Sequence, residues 1–114
     1  MTLDEVKFAA LELLGISQEG VAMSANDSTR MGRSYDKVFK ELKETGLATW
    51  VEAGPVPDHL ADHVESLMAM EAANAYYVSD NRYARILSRA KDARRELRRL
   101  TVPDYESLDE PKDY

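Results

Sequence analysis

Residues 59–78 read LADHVESLMAMEAANAYYV after His59, and between 67 and 77 they hold four Ala, two Met and two Tyr. At helical spacing such a run is apolar on almost every side, and a helix of that kind must be covered on several sides. In a chain of 114 residues there is material for one core and not two. The segment is therefore expected to be the central helix of a single all-α domain, or one that also faces another subunit. Ala69, Ala72, Ala73 and Ala75 would permit close approach of neighbouring helices.

The flanking segments supply the other helices. Thr2 followed by Glu5 has the spacing of a capping box, which satisfies two orphan amides at a helix start. Val6, Ala9 or Ala10, and Leu13 then form a stripe, and Gly15 is placed for a left-handed stop with Ile16 folding back, so a first helix spans about 3–14. A polar stretch, 17–29, follows as a loop, with Asp27 or Ser28 as the expected start of a second helix. Met31, Tyr35, Val38 and Leu42 carry that helix, Gly46 closes it, and Leu47 sits where a Schellman motif takes an apolar contact. LATWV reads as a short extended segment or a continued turn. Gly54-Pro55-Val56-Pro57 is a rigid break, and Asp58 is in position to cap the third helix. Ser79 or Asp80 caps a fourth, with Ile86, Ala90, Ala93, Leu97 and Leu100 as its apolar seam until Val102-Pro103. The expected architecture is a four-helix, bundle-like domain over residues 1–100 and an extended tail over 101–114.

Charge is unevenly distributed. Residues 1–81 carry 6 basic and 14 acidic side chains, residues 82–100 carry 8 and 2, and residues 101–114 carry 1 and 5. A basic strip followed at once by an acidic tail permits nucleic-acid contact, and equally permits the tail of one copy to dock on the strip of another. Arg82, Arg85, Arg89, Arg95 and Arg99 fall largely outside the apolar seam. They can pair with phosphates, pair with carboxylates within or between chains, or form a solvated face. The overall net charge of −6 makes free duplex binding less attractive.

Little here suggests catalysis. No cysteine is present, which excludes disulfides and thiolate metal sites. His59 and His63 lie four apart on one helix, but no evident third ligand completes a metal cage, and a solvated helix start rich in Asp58 and Asp62 explains them more simply. There is no Gly-rich phosphate loop and no nucleophile elbow around Ser24, Ser28 or Ser34. The chain is expected to be no enzyme and to need no cofactor. The charged start, with Asp4, Glu5, Lys7 and Glu12, argues against a signal peptide or a membrane span, so a cytoplasmic site of synthesis and assembly is expected.

The order of features resembles a known family. It comprises a first helix ending in Leu14-Gly15, a second with Tyr35, Val38 and Leu42, and the stretch Gly46-Leu47-Ala48-Thr49-Trp50. A Val56-Pro57 break, an Ala-rich third helix and an Arg-rich fourth with a Pro-broken tail complete it. Over about residues 3–100 the chain is similar to the head–tail connector, or portal adaptor, proteins of tailed phages, including the packaged-DNA-stabilising tail accessory proteins. The stretch from Leu42 to Trp50 is the most telling part. The resemblance implies a structural virion protein at the head–tail interface, assembled in the host cytoplasm. It further implies a ring, typically of twelve copies, beneath the portal protein after DNA packaging. Such a ring extends the DNA channel, passes DNA without sequence specificity, and meets downstream tail or stopper proteins. The implied portal-docking tail is 101–114, with Tyr105, Leu108 and Tyr114 as anchors. A closed ring needs two different patches per subunit, and Arg82, Arg85, Arg89 or Arg95 is expected at the subunit or portal contact. The alternative is a small helical DNA-binding protein such as a terminase small subunit or a regulator. Against a helix-turn-helix stands the long polar loop between the first two helices.

Overall fold

The computed structural model describes residues 1–16 and 20–101. Among them are four α-helices and no strand: α1 (Leu3–Leu13), α2 (Ala25–Glu44), α3 (Asp58–Ala72) and α4 (Asp80–Thr101), with a single 3₁₀ turn at Ala73–Ala75. The expected tail with Tyr105, Leu108 and Tyr114 lies outside the described residues.

Local signals set the ends of α1. The Thr2 hydroxyl accepts from the Glu5 amide at 3.2 Å, and the Thr2 amide donates to the Glu5 carboxylate at 2.8 Å. At the other end Gly15 has φ +79°, its amide reaches the Glu12 carbonyl and the Ile16 amide reaches the Leu11 carbonyl at 2.9 Å. That is a Schellman stop, and α2 repeats it: Gly46 also has φ +79°, and the Leu47 amide donates to the Leu42 carbonyl at 2.7 Å.

Both glycines stand in a backbone region that L-residues avoid, but their surroundings differ. A Cβ on Gly15 would lie 2.9 Å from Cζ of Arg82, whereas one on Gly46 would meet nothing within 4 Å. Gly46→Ala should therefore cost about 1 kcal/mol from backbone strain alone. Gly15→Ala should cost more, about 1–2 kcal/mol, because the Arg82 guanidinium must also leave the α1 carbonyl it holds. Urea midpoints of the two variants check the difference, and equal losses would mean that Arg82 contributes nothing at this helix end.

Helix α2 begins earlier than its polar run suggests. Ser24, not Asp27 or Ser28, is the cap: its hydroxyl accepts from the Asp27 amide at 3.1 Å, and Asp27 sits within the first turn. A carboxylate inside the first turn is favoured by the helix dipole, so the acid belongs after the cap rather than at it. Helix α3 likewise starts at Asp58 itself, with Pro57 before it and no side-chain cap bond. The Asp58 carboxylate instead takes the amino group of Met1 at 2.6 Å, and the same amino group donates to the Val56 carbonyl at 2.8 Å.

The larger difference is at the end of α3, which stops at Ala72 rather than near residue 78. Tyr76 leaves the helix in an extended conformation and sends its hydroxyl to Asp27 of α2 at 2.8 Å. Arg30 lies over its ring at 5.2 Å and donates to the Ala75 carbonyl. Aromatic and β-branched residues (Tyr76, Tyr77, Val78) have modest helix propensity, and these tertiary contacts outweigh it. Ser79 then caps α4 by accepting from the Arg82 amide.

Helix α3 is central. Leu60, Ala61, Val64, Leu67, Met68, Ala69 and Ala72 are all buried, and α3 packs on α1, α2 and α4. Helices α1 and α2 also pack on each other, whereas α4 rests chiefly on α3. The α4 seam is Ile86, Ala90, Ala93 and Leu97, all buried. Leu100, expected as its fifth member, is 39% exposed, since the 22-residue α4 outruns the 15-residue α3.

Leu42 to Trp50 has a structural meaning. After the Gly46 stop the chain returns along α2, so that Trp50 meets Phe39 edge-on at 5.7 Å and donates its indole N–H to the Tyr35 hydroxyl at 2.9 Å. Tyr35 in turn donates to the Glu52 carbonyl at 3.1 Å. This returning segment carries no regular secondary structure and forms an aromatic latch on α2.

Candidate functional site

Four arginines were singled out by sequence, and three of them gather. Arg82, Arg85 and Arg89 come from successive turns of α4 and face the C-terminal end of α1 across a cleft of about 420 Å³. Glu12 and Leu13 line its α1 wall, and Ile86 lies between the arginines. The half-buried Arg82 donates from Nη1 to the Leu13 carbonyl at 3.1 Å, placing positive charge at the C-terminal end of the α1 dipole. Arg85 and Arg89 are exposed, and among the described residues no carboxylate lies at ion-pair distance from either. Ser88 adds a hydroxyl to the same cleft.

Arg95 stands apart. It is exposed further along α4, where it meets Asp92 of its own helix at 3.7 Å, and Arg99 makes the equivalent pairing with Glu96 at 2.9 Å. Exposed pairs of this type contribute little, so they leave the outer α4 surface open to other carboxylates or phosphates. Arg94, which sequence reasoning did not single out, does different work: it forks onto both carboxylate oxygens of Glu41 and ties α4 to α2. Nothing in its spacing distinguishes it from its neighbours, because the partner is far away in sequence.

A second residue was also missed. Glu65 lies on the buried face of α3 and is only 7% exposed. Burial pushes its carboxyl up to about 7; Asp62 and Glu12 push the same way, and Arg89 pulls it back. A carboxylate between Val64 and Leu67 in an otherwise apolar run was the available signal.

His59 is exposed and His63 half-buried. No group of three residues able to ligate a metal occurs among the described residues. None of the helices described is long and apolar enough to cross a membrane. Residues 14–24 separate α1 from α2, against about three or four in a helix-turn-helix.

The geometry thus offers a cationic edge: guanidiniums on one helix beside an apolar floor. Comparison with protein-family models, with curated proteins and with solved structures finds no match.

Proposed function

We propose that this chain is a structural head–tail adaptor of a tailed phage, a subunit that forms a ring beneath the portal protein, extends the DNA channel and links head to tail. The observation that carries the reading is the outer surface of α4. It presents Arg85, Arg89 and Arg95 to solvent on a helix held chiefly from one side, in a chain that is acidic elsewhere. A ring built from identical subunits needs two unlike, complementary patches, and an arginine face opposite a carboxylate-rich remainder supplies them. The order of features along the sequence and the stretch from Leu42 to Trp50 are what make the chain resemble the adaptor proteins and support this reading. In this role the acidic surface suits a channel wall that repels DNA and lets it pass, and segment 101–114 is the docking segment for portal.

Reversing the charge of Arg82, Arg85, Arg89 and Arg95 together is expected to abolish co-sedimentation with a cognate portal ring while the helical circular-dichroism signal persists. Unchanged assembly would remove the α4 surface from the interface and with it the basis for this reading.

A further inference from the structure

We propose that the cleft between α1 and α4 is a receptor for the acidic segment 104–110 of a second copy of this chain. The cleft combines three guanidiniums, Arg82, Arg85 and Arg89, with an apolar floor supplied by Leu13 and the buried Ile86. The segment reads Asp104-Tyr105-Glu106-Ser107-Leu108-Asp109-Glu110, acids interleaved with one aromatic and one aliphatic residue. Arginine forks pair with carboxylates in a bidentate manner, and the apolar side chains between the acids match the floor between the arginines.

A phosphate backbone fits less well. Duplex DNA presents about one charge per 1.7 Å of axis and would place phosphates against the Glu12 carboxylate on the α1 wall. A peptide whose acids are spaced by Tyr105 and Leu108 can place an uncharged residue there. A cleft of about 420 Å³ also has room for a few side chains rather than for a duplex.

The occupant comes from another copy because the chain's own segment cannot span the whole cleft. Along α4 at about 1.5 Å per residue, Arg89, Ile86 and Arg82 lie roughly 18, 22 and 28 Å back from Thr101. Reversing direction uses about two residues, which leaves Leu108 a reach of about 17 Å, short of Ile86, and Glu110 a reach of about 24 Å, short of Arg82. A neighbouring copy has no such limit. Receptor and ligand are then two different patches of one chain, a heterologous contact that links each copy to the next. In the proposed adaptor the same segment goes to portal, so portal and the neighbour's cleft compete for it. The inference itself needs no portal, and its test omits portal so that its failure leaves the adaptor reading standing.

Two full-length variants separate receptor from ligand. R85E/R89E damages the cleft and keeps the acidic segment, whereas D104N/E106Q/D109N/E110Q keeps the cleft and neutralises the segment. Each variant alone should self-associate at least about tenfold more weakly than the parent chain. Mixing them should restore association, since one contributes the cleft and the other the segment. With the segment-neutralised variant ¹⁵N-labelled, unlabelled R85E/R89E should shift the amides of Leu13–Gly15 and Arg85–Arg89 saturably. Absence of shifts in the mixture up to the solubility limit would overturn the proposal. So would shifts confined to other residues, or a short duplex DNA that perturbs the cleft amides at lower concentration than the segment does.

Discussion

Replacing Leu97 with alanine should lower the free energy of unfolding by about 3 kcal/mol, within the 2–5 kcal/mol typical of a buried leucine. Leu97 is fully buried in the α4 seam, and two of its three partners along that seam, Ala90 and Ala93, are themselves alanine. Most of the apolar area that holds α4 against α3 therefore comes from Ile86 at one end and Leu97 at the other. Interiors are packed too densely to close the resulting cavity without displacing neighbours, so the loss exceeds simple transfer of the methyl groups to water. Urea unfolding should show a lower midpoint with an unchanged slope. Leu100→Ala, one turn on and 39% exposed, is the control and should cost less than about 1 kcal/mol. Similar losses for both would mean that the seam does not end where the structure places its end.

Glu65→Gln has an effect that depends on pH. The Glu65 carboxyl titrates near 7 in the folded chain, raised from 4.5 first by burial and then by Asp62 and Glu12. Below about pH 4.5 it is protonated in both folded and unfolded chains and imposes no penalty. As pH rises from 4.5 through 7, the unfolded chain releases the proton more readily, so the contribution of Glu65 to stability is lost over that window. Above it the penalty is constant, on the order of 1–3 kcal/mol. Glutamine has the same shape and no titration. Glu65→Gln should match the parent chain at pH 4.5 and exceed its stability by that amount at pH 8. Urea midpoints of both proteins across this range check it. A difference independent of pH would show that the carboxylate is well solvated or already paired.

The parts of the fold that could be read from sequence are those encoded by neighbouring residues. The Thr2–Glu5 capping box and the glycine stops at Gly15 and Gly46 depend on contacts within six residues, and they occur where their spacing places them. The all-round apolar character of residues 59–78 left two options, a central helix or one that also faces another subunit, and α3 packs on all three other helices. What sequence did not reveal was decided at long range. The exit of the chain at Ala72 depends on Tyr76 finding Asp27, and the Arg94–Glu41 pair joins helices far apart in the chain. The same limit applies to the cleft. Spacing placed Arg82, Arg85 and Arg89 off the seam, but only packing puts the end of α1 opposite them and leaves Arg95 outside. Arg82 also proves to serve its own chain, by holding the Leu13 carbonyl, as well as lining the cleft.

The adaptor reading is tested most directly by light scattering coupled to size-exclusion chromatography, with and without a cognate portal ring, on the full chain and on a chain ending at Leu100. The reading predicts that portal gains the mass of many copies of the full chain and none of the shortened one. A full chain that elutes unchanged in the presence of portal would contradict it.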